Sequence, residues 1–345
     1  MKNSTLIFFF LGTLLLTSCY KDKTPAPVEP KQLDFSLKGI GVDPVSSAVE
    51  ADKFDPIVAV NANAISVYPL GIVYPDLHVV NHNLAGMNWG ERSAGIEKQI
   101  DWAHENGMKV MIYPRLFFAD GRESRSYDAG SEANWEKFEK SYKEFVVHYA
   151  VMAKEKGAEL LSLGSDMEFF VENRPDYWEF LIDTCRMEFD GKLTYSAHRL
   201  NYDDIPFWNE LDYIGIRADY SVSLSQTPSV EDVISFWETE VHSDLISISA
   251  SEIRPVIFTE IGYKSIDFAG EQPWNEELDH ELNETAQANL IQGFLEAFSE
   301  KVWFEGAFIN GWSLEDVSGN APDKGYSVAG KESEVLIEQM YSDTL

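Results

Sequence analysis

Cysteine is nearly absent from this chain of 345 residues: there are two, Cys19 and Cys185, so no disulfide framework is available to hold a fold together. Basic residues are also scarce. Lys and Arg total 27 against 58 Asp and Glu, a formal charge of -31. A surface of that sign repels nucleic acid and anionic lipid and keeps an exported protein soluble. The longest apolar run, Leu6 to Leu16, is too short to span a bilayer. No phosphate loop, dinucleotide fingerprint, HExxH pattern or Ser-His-Asp signature is present, and no cofactor is expected. His78 and His82 have helical metal spacing but fall among loop residues without a third ligand nearby, so no metal site is expected either.

What is present begins with an export signal. Lys2 precedes the apolar run, which ends in Leu16-Thr17-Ser18-Cys19, small residues before a cysteine. That sequence matches the bacterial lipoprotein box, so residues 1–18 read as a signal peptide. Cys19 then becomes the lipidated mature N-terminus, held at the cell envelope, on the outer membrane or cell surface. Residues 19–32 contain Pro25, Pro27 and Pro30 among Lys and Glu and read as an extended tether. Residues 33–345, about 310 in all, show no internal linker and suit one α/β barrel acting as a monomer, with no membrane contact except through the lipid.

Eight short apolar runs recur, each followed by turn residues and a segment of helical spacing. They are Ser36–Val42, Ala64–Pro69, Lys109–Tyr113, Glu159–Leu163, Lys192–Ser196, Tyr213–Ile216, Val256–Thr259 and Gly306–Ile309. This alternation predicts a single (β/α)8 barrel. Between the third and fourth runs, Trp135, Phe138, Tyr142, Phe145, Val146 and Tyr149 share one helix face, and Gly157 marks its stop. Leu290, Ile291, Phe294, Leu295 and Phe298 do the same before the eighth. Both stripes read as core.

Glu260 closes the apolar run Pro255-Val256-Ile257-Phe258-Thr259 and is followed by Ile261-Gly262-Tyr263. A buried parallel strand favours β-branched and aromatic residues, so a carboxylate at its C-terminal lip, the active face of such barrels, reads as catalytic. Two more acids follow the fourth run, in Gly164-Ser165-Asp166-Met167-Glu168. Glycosidic hydrolysis needs one carboxylic acid to protonate the leaving oxygen and one carboxylate to attack or to activate water. Acids on opposite lips of one barrel are suited to supply both.

Three separated motifs carry a resemblance: Lys192-Leu193-Thr194-Tyr195-Ser196-Ala197; Phe207-Trp208 with Leu211-Asp212-Tyr213-Ile214-Gly215-Ile216; and Pro255 to Tyr263. With the closing Gly325-Tyr326-Ser327 and Gly330-Lys331, the chain from about Gly39 to Tyr341 resembles glycoside hydrolase family 113, retaining β-mannanases on a (β/α)8 barrel. The resemblance implies that Glu260 is the nucleophile. It places the acid/base in a Gly-Thr-Glu-like turn, here Gly164-Ser165-Asp166, with Glu168 as the other candidate. Aspartate reaches one methylene less, about 1.5 Å.

Other departures lie on the pocket-facing lips. Ala197-His198-Arg199, Arg217-Ala218-Asp219 and Asn310-Gly311-Trp312 replace Ala-Asn-Trp-, Asp-Ala-Tyr- and Trp-Lys-Trp-like endings. His198, Arg199, Arg217, Asp219, Asn310 and Trp312 are therefore candidate substrate contacts, with Arg115 past the third run. His198 is placed to hydrogen-bond the sugar or to tune Glu260. Trp89, Trp274 and Tyr263 are candidate sugar platforms. Arginine forks at 199 and 217 suit a carboxylate or sulfate on the substrate. Three functions follow: a polysaccharide or oligosaccharide hydrolase of β-mannanase type, a glycosidase for a different and anionic sugar, and a glycan-binding lipoprotein with impaired catalysis.

Overall fold

The computed structural model describes residues 33–74, 76–315 and 323–342. The signal segment, Cys19 and the tether lie outside the described residues. Eleven strands occur in the order β1 (Leu37–Asp43), β2 (Ala64–Val67), β3 (Leu70–Tyr74), β4 (Val79–His82), β5 (Lys109–Ile112), β6 (Arg115–Phe118), β7 (Leu160–Ser165), β8 (Lys192–His198), β9 (Ile214–Arg217), β10 (Val256–Ile261) and β11 (Phe304–Ser313). Eight of them close a parallel barrel in the order β1-β11-β10-β9-β8-β7-β5-β2, with β2 back against β1. These are the eight apolar runs of the sequence, and the fold is a single (β/α)8 barrel. Two boundaries move in ways that matter: β10 runs on through Glu260, which lies inside the strand, and β7 ends at Ser165, immediately before Asp166.

The small sheet β4-β3-β6 is an addition that the eight-run pattern does not show. Barrel strands β2 and β5 are each followed by Tyr-Pro, Tyr68-Pro69 and Tyr113-Pro114, and the chain then enters a strand of the small sheet, β3 or β6. Proline has no N–H to donate to a ladder, so each barrel strand stops there. Pairing resumes beyond it, with Arg115 N–H donating to the Pro69 carbonyl at 2.9 Å and β3 running parallel to β6. The extension raises a wall on the C-terminal rim and carries Arg115 to its base.

The helix Glu132–Lys156 buries the predicted stripe, is capped by the Ser131 side chain accepting from Asn134 N–H, and ends at Gly157 in the left-handed region (φ +78). Leu290, Ile291, Phe294, Leu295 and Phe298 are buried along the helix Glu284–Phe298. These faces pack on the barrel exterior, while Leu37, Met111, Tyr113, Leu160, Ile257 and Phe308 fill its interior. Cys185 is buried and unpaired. Among the described residues no helix is long and apolar enough to cross a membrane.

Candidate active site

Strand register brings the nucleophile candidate beside a cation. Glu260 on β10 pairs with Arg217 on β9, and its two carboxylate oxygens are both occupied. Arg115 Nη2 donates to Oε2 at 2.8 Å, and Asn310 Nδ2 donates to Oε1 at 3.2 Å. Arg115 is itself fixed: its guanidinium carbon lies 3.7 Å from the Tyr68 ring centroid and 5.0 Å from that of Tyr113. Aromatic faces favour a cation there. The Tyr113 hydroxyl donates to Ser196 Oγ at 2.7 Å, Ser196 Oγ lies 2.6 Å from Thr259 Oγ1, and Tyr68 Oη lies 2.7 Å from Ser66 Oγ. Burial pushes the Tyr113 phenol up to about 12, so it stays a neutral donor.

Within electrostatic reach of this group is Asp43, at the end of β1. Burial pushes its carboxyl up to about 6; Arg115 opposes the rise, while Glu260 and Asp323 add to it. A Cβ at Gly311 would come 2.3 Å from Asp43 Oδ1, so a larger residue there would displace that carboxyl.

The acid end is built differently. Asp166 occupies the turn after β7 with a left-handed backbone (φ +47) that Asp tolerates better than most residues, and its N–H donates to the Ser196 carbonyl at 3.1 Å. Arg217 Nη1 donates to Asp166 Oδ2 at 2.5 Å and Arg217 Nη2 to Asp219 Oδ2 at 3.0 Å. Oδ1 of Asp166 is buried with no hydrogen-bond partner among the described residues. Burial is the main cause that pushes the Asp166 carboxyl up to about 6; Arg217 pulls it down, and Glu168, Asp219 and Glu260 push it further up. Burial likewise works against the Arg217 charge, but Asp166, Glu260 and Asp219 outweigh it and keep the guanidinium protonated. Both groups move upward for reasons that agree physically: crowded carboxylates favour the proton on Asp166 and the charge on Arg217.

Glu168 begins the helix Glu168–Asn173 and opens on a separate cavity of about 440 Å³ with Val171, Asn201 and Ile205. Its charged neighbour is Arg125, 3.6 Å away, and burial raises its carboxyl as well. Of the two acids, Asp166 is the one that borders the main cleft and feels Glu260.

That cleft, about 720 Å³, is bordered by Asp166, His198, Arg199, Arg217, Asp219 and Trp274, and continues to Glu260, Asn310 and Tyr326. Burial lowers the His198 imidazole to about 4, against the pull of Asp219, so it is neutral. Its Nδ1 accepts from Leu200 N–H at 3.3 Å, which leaves Nε2 as the donor. The charged groups around it are Asp219, Arg125, Arg199 and Arg217, so it belongs to the acid end and does not sit against Glu260. Arg199 Nε donates to the Asp219 carbonyl at 2.8 Å, and its guanidinium lies 4.6 Å from the Trp274 ring.

Three predicted contacts are corrected. Trp312 is only 2% exposed and packs in the layer between barrel and helices, because the register shifts between Gly41 and Val42 of β1 where it faces β11. Tyr263 is fully buried in the same layer. Trp89 packs against Trp102 of the helix Ser93–Glu105, at 6.0 Å between ring centroids. None of the three borders the cleft; of the four aromatic candidates, Trp274, 40% exposed, is the one that does. His78 Nδ1 lies 2.9 Å from the Tyr127 hydroxyl, and the His82 ring packs against Phe145 and His148. Sequence reasoning missed Asp43, Tyr68, Tyr113, Arg125 and Tyr326. The repeated Tyr-Pro at the ends of β2 and β5 was the available signal for two of them.

A parallel barrel with a carboxylate on β10, a second just past β7 and a cleft between them defines the class of barrel glycosidases. Residues 90–331 match the model of glycoside hydrolase family 113, and the chain belongs to that family. It is a glycoside hydrolase. Among solved structures, a family 113 β-1,4-mannanase in complex superposes with a TM-score of 0.75 at 21% identity, covering 91% of this chain and all of that one. The β-mannanase AaManA from Alicyclobacillus acidocaldarius gives 0.75 at 21% identity over 89% and 97% of the two chains. A Ruminococcus gnavus β-glucuronidase gives 0.62 at 14% identity over 90% of this chain and 53% of that one. A search of curated proteins found no match.

Proposed function

We propose that the chain is a retaining glycosidase in which Glu260 attacks the anomeric carbon and Asp166 is the acid/base. The observation that carries this reading is that Asp166 and Glu260 border adjoining parts of the cleft, which share Arg217, Asp219 and Trp274 as lining, and that both lie beside Arg217 while Arg115 and Asn310 occupy the two Glu260 oxygens. In the first step a Glu260 oxygen forms the bond to the anomeric carbon, the glycosidic C–O bond breaks, and the Asp166 proton goes to the departing oxygen. In the second, Asp166 takes a proton from water, whose oxygen displaces Glu260. Arg115 and Asn310 hold the Glu260 carboxylate in position. The two family 113 neighbours are a β-1,4-mannanase and a β-mannanase, so a β-mannan is the first substrate to test. Screening the protein on a polysaccharide panel by mass spectrometry is the direct test; binding without any cleavage product overturns the catalytic reading. The contact of Arg217 with Asp166 at 2.5 Å favours a second reading, a glycan-binding barrel with impaired catalysis, because it opposes the proton a general acid must carry.

The same proposal includes export and a lipid anchor at Cys19, with the monomeric enzyme held at the envelope. Acyl chains contribute about 0.8 kcal/mol per buried methylene. The parent protein should therefore partition into detergent and the Cys19→Ser protein should not; a Cys19→Ser protein that still fractionates with membranes removes the anchor from the proposal.

A further inference from the structure

The arginines of the cleft are not equivalent, and the difference points to a ligand. Arg115 is committed to Glu260, Arg217 to Asp166 and Asp219, and Arg122 to Asp120. Arg199 is anchored only at its inner nitrogen: Nε donates to the Asp219 carbonyl at 2.8 Å and lies 3.2 Å from Asp219 Oδ1. One face of the guanidinium stacks on Trp274 at 4.6 Å, and the side chain is 14% exposed. Among the described residues nothing accepts a hydrogen bond from its Nη1 or Nη2. Its terminal nitrogens are not among the buried unpartnered atoms and so face the cleft, and a guanidinium fixed at Nε and on one face offers its outer edge as a two-pronged fork. Arg125 borders the same cleft, with only long contacts, 3.6 Å to Glu168 and 3.5 Å to Asn201.

We propose that Arg199, backed by Trp274 and flanked by Arg125, is a subsite for an oxyanion substituent on the sugar, a uronate carboxylate or a sulfate ester, in the part of the cleft beside Asp166. The cleft volume of about 720 Å³ suits a ligand of sugar size. In a chain of net charge -31, a recess with a free guanidinium fork attracts an anion that the rest of the surface repels. Arg217 is not the receptor, since both of its terminal nitrogens are already used.

The inference rests on the glycosidase reading for the word sugar, and the experiment separates the two. Full-length protein and its Glu260→Gln variant are titrated by calorimetry with β-1,4-mannuronate oligosaccharides and with their carboxyl-reduced, neutral twins. A second arm uses sulfated oligosaccharides with their desulfated twins. The carboxylated or the sulfated member of a pair should bind roughly 10- to 100-fold tighter than its twin, and which arm responds tells carboxylate from sulfate. Arg199→Gln should abolish that preference, bringing the anionic member of each pair down to the affinity of its neutral twin. Arg199→Lys, which keeps the charge but loses the fork, should retain only part of it. Thermal unfolding identifies any variant that fails to fold, and Trp274→Ala then provides the alternative, expected to weaken both twins but the anionic one several-fold more, because Arg199 loses its backing face. Equal binding of both members in every pair, or equal loss for both in Arg199→Gln, overturns the subsite. Cleavage of neutral oligosaccharides with no charge preference leaves the glycosidase standing without it. Selective binding of the anion with no turnover by the parent protein leaves the subsite standing and sinks the catalytic reading.

Discussion

Glu260 has both carboxylate oxygens engaged, by Arg115 and Asn310, whereas Asp166 has one oxygen on Arg217 and the other buried without a partner among the described residues. The first sits inside a regular strand. The second sits just past one, in a left-handed turn. A nucleophile must be aimed, and strand register with two fixed donors suits Glu260 to the role proposed for it. An acid/base must change protonation state within one turnover, which a fully satisfied carboxylate resists. The incomplete bonding of Asp166 is what a group of that kind requires.

The largest effect that tests this contrast comes from the fixed end. Glu260→Gln should keep the fold and glycan binding but lower turnover by on the order of 10⁴-fold or more, since an amide is no nucleophile at an anomeric carbon. Hydrolysis by the variant at the parental rate would move the nucleophile elsewhere and dissolve the comparison.

At the adaptable end, Asp166→Asn should slow an unactivated glycoside by about 10²- to 10⁴-fold. An aryl glycoside with a low-pKa phenol should lose far less, because its leaving group needs little help. Azide should rescue the variant by attacking the glycosyl-enzyme where general-base help is missing. Glu168→Gln, directed into its own cavity, should change either rate by less than about threefold. Azide rescue of Glu168→Gln alone would reverse the assignment.

The pH dependence of the parent is a finer probe. Asp166 is pushed up to about 6, so kcat/KM on an unactivated substrate should fall about tenfold per unit as pH rises above that value. The sign for stability is the same. A carboxyl whose folded pKa exceeds its unfolded value of 3.8 stabilises the fold fully below that value and loses the contribution as pH rises through about 6. Asp43 behaves likewise. The melting temperature should therefore decline between pH 4 and 7, and Asp166→Asn should remove part of the decline; a Tm that rises over this interval in the Asp166→Asn protein as in the parent would contradict the placement of both buried acids.

The same contrast explains what was legible in the sequence. Glu260 announces itself because it interrupts the apolar run of a buried strand, and the barrel announces itself by eight such runs. Arg115 was visible as a residue past the third run, but its role depends on the Tyr-Pro extension that turns it toward Glu260. Arg217 and Arg199 read identically as lip arginines; only three-dimensional placement shows that one is consumed by carboxylates and the other retains a free edge. Trp312 misled for a related reason. Its position at a strand end suggested the cleft, but a register shift turned it into the packed layer. Asp43 had no local signal at all, because its importance comes from strands β1 and β11 being neighbours across the closure of the barrel.

The smallest predicted effect concerns that closure. At Gly311 an added Cβ would meet Asp43 Oδ1 at 2.3 Å and both Cγ and Oδ2 at 2.8 Å, too close for any side chain to tolerate without movement. Gly311→Ala should cost about 1–3 kcal/mol of stability and lower the melting temperature by a few degrees. Because Asp43 lies electrostatically beside Arg115 and Glu260, its displacement should also reduce kcat by roughly tenfold, with KM nearly unchanged. Asp43→Ala removes all three clashing atoms. In that background Gly311→Ala should therefore cost much less, a coupling that a double-mutant cycle on urea unfolding measures directly. If Gly311→Ala is equally costly with and without the Asp43 carboxyl, the contact is not the reason for glycine, and Asp43 loses its place as the buried support of the nucleophile end.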